Sequence, residues 1–177
     1  MLRRILALGL VGLPAALAAD RLLARGGRAP GPLRMLAVVD APVGTVWAAV
    51  ADVAFQAEWM TEMQALLLDP PGRAHVGQRG EATVRILGIS VTDSVEVVEL
   101  DPPHRYAIRH LGLFKGGGVI TLESGADGTT TTLRWEETLV APILPHLVAA
   151  IQAPVLRSIF QADLERLKRL VEDGAVA

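Results

Sequence analysis

Met35–Trp59, M-L-A-V-V-D-A-P-V-G-T-V-W-A-A-V-A-D-V-A-F-Q-A-E-W, reads as one strand running directly into one helix, and the rest of the chain is organised around it. Met35 to Val39 is an apolar, partly β-branched run that Asp40, Ala41 and Pro42 halt. Asp40 is placed to cap a helix, and Pro42 is tolerated in a first helical turn. Beyond it Val43, Val46, Trp47, Val50 and Val53 or Ala54 recur at the i, i+3, i+4, i+7 spacing of a single apolar face. Trp47 is the largest core anchor of that face. Phe55 to Met63 reads as a second short helical piece, with Glu58 and Glu62 turned to water.

Strand-like runs follow, divided by turn chemistry. Gln64 to Leu68 stops at Asp69-Pro70-Pro71-Gly72, Glu81 to Leu87 turns at Gly88, and Ser90 to Leu100 ends at Asp101-Pro102-Pro103. Arg105–Leu111, Phe114–Glu123 and Thr129–Leu139 complete the set. Connections this short make neighbours antiparallel. Leu147 to Val171 then carries apolar residues at helical spacing, with Arg157, Asp163, Glu165 and Arg166 assigned largely to the other side. Pro154 is expected to kink this helix.

Pro42-Val43-Gly44-Thr45-Val46-Trp47, Val76-Gly77-Gln78-Arg79-Gly80 and Val97-Val98-Glu99-Leu100-Asp101-Pro102-Pro103, in this order, resemble the START-like superfamily, also called SRPBCC or Bet v 1-like, near its polyketide cyclase/dehydrase branch. The likeness runs from about Met35 to Val171. It implies an α+β helix-grip fold, a curved antiparallel seven-stranded sheet wrapped around the long C-terminal helix, with a ligand cavity between them. It also implies a small hydrophobic ligand, such as a lipid, isoprenoid or polyketide-like compound, and no cofactor. Within that fold Trp59, Tyr106, Trp135, Ile151, Val155 and Ile159 are expected to bind the ligand, with Ile151, Val155, Ile159 and Phe160 on the buried side of the helix.

The strand alternation selects three polar residues for the same interior. Glu137 shares a face with Leu133, Trp135 and Leu139, His110 with Tyr106 and Ile108, and Asp93 with Val91, Val95 and Val97. Carboxylates beside a histidine in an apolar pocket can do acid–base work, since burial moves their pKa values toward neutrality. The alternative is that all three sit at strand ends near water. Gly116-Gly117-Gly118 lacks the continuation of a phosphate loop and fits a bent strand instead. The four histidines are too dispersed for a metal site, and no nucleophile motif surrounds any serine.

The chain has 177 residues, no cysteine and a net charge of −2, which fits one domain and supplies no basic footprint for nucleic acid. Apolar residues make up 51 %, part of them in the segment Met1 to Asp20. There Arg3 and Arg4 precede an apolar run ending at Ala16-Leu17-Ala18, the layout of a signal peptide. Arg21, Arg25, Arg28 and Arg34 follow and favour retention at a membrane on the cytoplasmic side. The expected organisation is a signal peptide or membrane anchor over residues 1–20, a linker over 21–34, the helix-grip domain over 35–172 and a tail over 173–177. The protein is thus expected to be membrane-associated or exported, with a cytoplasmic-facing domain also open. Three functions fit: a binder of a small hydrophobic molecule, a polyketide cyclase or dehydratase, and a membrane-tethered interaction module without ligand.

Overall fold

A computed structural model describes residues 2–27, 30–71, 73–86 and 88–175. In chain order the elements are α1 (Leu2–Arg25), β1 (Leu33–Val39), α2 (Val43–Ala51), α3 (Val53–Trp59), β2 (Met63–Asp69), β3 (Arg79–Ile86), β4 (Ile89–Asp101), β5 (Arg105–His110), β6 (Lys115–Ser124), β7 (Thr131–Val140) and α4 (Pro145–Glu172). The seven strands form one curved antiparallel sheet in the order β1-β7-β6-β5-β4-β3-β2. Irregularities between Met63 and Ala65 and between Val97 and Glu99 shift the register of two pairs, the kind of break that bends a strand. The helix-grip expectation holds, with α4 lying along β1 and reaching β7.

Inward residues alternate along β1, β4, β6 and β7. Leu33, Met35, Ala37 and Val39 of β1, Val95 and Val97 of β4, Ile120 and Leu122 of β6, and Leu133 and Trp135 of β7 are buried. All of these but Val95 join Val46 and Val50 of α2 and Leu156, Phe160, Leu164, Leu167 and Val171 of α4 in one core. The free edge of β1 is occupied by side chains of α4. Gln161 donates to the Leu36 carbonyl and accepts from its N–H, Lys168 donates to the Val38 carbonyl, and Glu172 accepts from the Asp40 N–H. An edge strand satisfied in this way offers no template for a further strand.

Several local expectations are corrected. Asp40 does not cap α2, because Pro42 itself occupies the cap position and Asp40 lies two residues outside it. Asp52 does cap α3, accepting from the N–H groups of Ala54 and Phe55. Trp47 is only half-buried, and Val46, Ala49 and Val50 anchor α2 instead. The second helix ends at Trp59, and Met63 already belongs to β2. At the N-terminus, α1 runs through Arg25 and β1 starts at Leu33, so the expected 21–34 linker shrinks to the stretch between them.

The largest correction concerns α4. Its buried residues Leu156, Phe160, Asp163, Leu164, Leu167 and Val171 form one stripe. At about 100° per residue Ile151 lies roughly 170° from the centre of that stripe, Val155 about 130° and Ile159 about 90°. Ile151 is accordingly 68 % exposed, Val155 41 % exposed and Ile159 half-buried. The apolar residues of α4 make two rows, and only the row through Phe160 faces the sheet.

Candidate functional site

The three polar residues selected by alternation meet on the concave face. His110 Nδ1 lies 2.9 Å from Asp93 Oδ2 and His110 Nε2 lies 2.9 Å from Glu137 Oε1. The second oxygens are held as well: Glu137 Oε2 accepts from Trp135 Nε1 at 3.0 Å, and Asp93 Oδ1 accepts from the Leu113 N–H at 2.7 Å. Asp93 and Glu137 are buried, and the His110 side chain is nearly so. Ionised carboxylates only accept, so against two of them both ring nitrogens must donate, which the imidazolium form does. Burial by itself lowers the His110 pKa, but Glu137 and Asp93 outweigh it and hold the pKa above the ordinary histidine value.

The glycine run makes room for this network. Gly118 pairs with Glu137 across β6 and β7, and a Cβ on Gly118 would stand 2.5 Å from Glu137 Oε2. Gly116 has φ +120°, a conformation that disfavours a side chain. The run keeps an unbroken register with β7, with no bulge at these glycines, and clearance for a carboxylate is the reason for Gly118. Gly118→Ala is therefore expected to displace Glu137 from Trp135 and cost about 1–3 kcal/mol in a denaturant titration.

A second pair of buried acids was not anticipated. Glu62, expected in water, is buried where the chain turns from α3 into β2, and Asp163 is fully buried in the middle of the inner α4 stripe. Asp163 Oδ1 accepts from the Thr61 N–H at 3.0 Å and from Thr61 Oγ1 at 2.9 Å. Asp163 Oδ2 and Glu62 Oε2 have no partner, since two carboxylates cannot bond until one takes up a proton. Burial first, then Asp163 and Glu137, push the Glu62 pKa up to about 8. Glu62 thus keeps a proton at neutral pH and can donate it toward Asp163. A sequence signal existed for Asp163, which sits three residues after Phe160 and four before Leu167, inside the apolar row.

Trp59, Tyr106, Trp135 and Glu137 line a cavity of about 70 Å³ on the concave face, bounded also by Leu66, Leu68 and Ile108. Trp59 meets Trp135 edge to face at 6.0 Å, and Trp135 lies 4.8 Å from Phe160. The aromatic candidates therefore gather at one place, whereas Ile151, Val155 and Ile159 do not line it. At about 70 Å³ the cavity falls well short of the few hundred Å³ of a small-molecule pocket. An open groove of about 810 Å³ adjoins it, lined by Trp47, Ala48 and Ala51 of α2, Val53 and Ala54 of α3, Leu66–Leu68 of β2, and Leu100, with Asp52 and Arg73 as its charged members. Leu66 and Leu68 belong to both walls.

A curved sheet gripping a C-terminal helix, with a polar network and an adjoining apolar groove on its concave side, defines a helix-grip protein. The chain belongs to the polyketide cyclase / dehydrase and lipid transport family, whose sequence profile matches residues 33–172. The START-like resemblance is thereby confirmed. No curated protein matches the sequence. Among solved structures, the Zhui aromatase/cyclase from Streptomyces sp. R1128 superposes with TM-score 0.66 at 19 % identity, over 82 % of this chain and 96 % of that one. A protein from Thermus thermophilus gives 0.65 at 19 % identity, over 81 % and 99 %. A protein of the dynemicin biosynthetic locus gives 0.57 at 24 % identity, over 81 % of this chain and 48 % of that one. At these identities the likeness is one of fold.

Proposed function

We propose that the protein binds a small hydrophobic molecule in the groove between α2–α3 and β2, with Leu66 and Leu68 separating that groove from the inner cavity. The observation that carries this reading is the pairing of volumes. About 810 Å³ lies within the range of small-molecule pockets, whereas about 70 Å³ beneath it does not. The groove wall is mostly Ala, Val, Leu and Trp, so an apolar body gains by leaving water there, and Arg73 and Asp52 offer polar contacts. The site thus moves from the space under α4, where the resemblance put it, to the flank of β2. Ala48 is exposed on α2 and lines the groove, so Ala48→Trp intrudes into it without disturbing the core. Titration of an environment-sensitive apolar dye is expected to show at least about tenfold weaker binding for Ala48→Trp with an unchanged melting temperature. Equal dye affinity in both proteins refutes the groove.

A cyclase or dehydratase reading draws on one specific feature, the carboxylate of Glu137 in the cavity wall, braced by His110 and Trp135. A substrate carbonyl reaching past Leu66 and Leu68 would meet that group. Turnover of a polyketide-like substrate that survives Glu137→Gln removes this reading.

A further inference from the structure

We propose that α1 docks the folded domain onto an anionic lipid surface, lying against the membrane instead of crossing it. The first support is that α1 is built into the fold. The α4 helix starts at Leu144 in a left-handed conformation with no side-chain cap of its own. Asp20 supplies the cap from α1, its Oδ1 accepting from the His146 N–H at 2.8 Å and the Leu147 N–H at 2.9 Å. Those backbone donors hold the Asp20 carboxyl below its ordinary pKa, so the cap stays charged.

The second support is what α1 leaves outside. Ala16, Ala19, Asp20 and Leu23 are half-buried and form one row at i, i+3, i+4, i+7. On the outer side Leu13, Leu17, Arg21 and Arg25 follow one another at four-residue steps, apolar at one end and cationic at the other, all exposed. Near the capped start of α4, Ile143 is 69 % exposed and Ile151 68 %, large apolar groups turned away from the core of the domain. Charge is segregated in the same sense, since α1 holds four arginines and one aspartate in a chain whose net charge is −2. Among the described residues no helix is long and apolar enough to cross a membrane. Exposed leucines that shade into arginines along one helix row match the acyl boundary and headgroups of an anionic bilayer.

Co-sedimentation of the full chain with phosphatidylcholine vesicles, with and without about 30 % phosphatidylglycerol, tests this docking. Binding is expected only to the anionic vesicles, weakening at least about tenfold when salt is raised to about 0.5 M. Arg21→Glu/Arg25→Glu is expected to weaken it at least about tenfold, with an unchanged circular dichroism spectrum. Equal binding to neutral and anionic vesicles, no binding to either, or unchanged binding of the double variant overturns the proposal. So does a dimer in sedimentation velocity that Ile151→Asp dissociates, because the exposed face would then belong to a second copy.

Discussion

His110→Ala is expected to destabilise the protein by about 3–5 kcal/mol, the largest effect of any single truncation at the site. Among the described residues the imidazolium is the one cation in contact with Asp93 Oδ2 and Glu137 Oε1, and both carboxylates are buried. Without it Asp93 keeps the Leu113 N–H and Glu137 keeps Trp135 Nε1, but two negative charges face each other across the space the ring leaves. They must ionise uncompensated in a poorly solvated place or take up protons. Urea unfolding at neutral pH measures the loss. A change under about 1 kcal/mol would mean that water reaches the carboxylates and that the network contributes little.

Stability is expected to fall by roughly 3–5 kcal/mol as pH rises from mildly acidic to above the Glu62 pKa, and Glu62→Gln is expected to remove much of that slope. The Glu62 pKa is raised from 4.5 to about 8, first by burial and then by Asp163. Between those values the native state keeps a proton that the unfolded chain releases, so the unfolding free energy decreases as pH increases. The contribution of Glu62 is complete below about 4.5 and is lost as pH climbs through about 8. His110 acts in the same direction, since its pKa is also raised on folding, and the slope left in Glu62→Gln belongs to it. Glutamine stays neutral and can still donate to Asp163, so the variant should exceed the parent in stability near about pH 9. A parent profile that is flat across this range would show that Glu62 is already ionised in the native state.

Strand alternation was enough to place Asp93, His110 and Glu137 on one side of the sheet, because successive side chains of a strand must point to opposite faces whatever lies around them. It could not tell a strand end in water from a closed network. That depended on Gly118 leaving clearance for Glu137 and on the Leu113 N–H reaching Asp93. The order of elements was legible for the same local reason: Pro and Gly end strands by backbone geometry, and short turns force antiparallel neighbours.

The faces of α4 were not legible. Its apolar residues occupy two rows, and periodicity alone does not fix the rotation of a helix about its axis. The sheet chose the row through Leu156, Phe160, Leu164 and Leu167, taking Asp163 into the interior and leaving Ile151 and Val155 outside. Asp163 then had to be satisfied by Thr61, a residue about a hundred positions away, and Glu62 was buried with it. The space left for a ligand was decided in the same way. Side chains from α3 and six strands fill the concave face down to about 70 Å³, while the α2–α3 break at Asp52 opens the groove beside β2. Sequence by itself determined which residues share a face, because the backbone imposes that period locally. Tertiary structure alone decided which face is buried, which acids meet and how much room remains, because those follow from side-chain volumes contributed by distant elements.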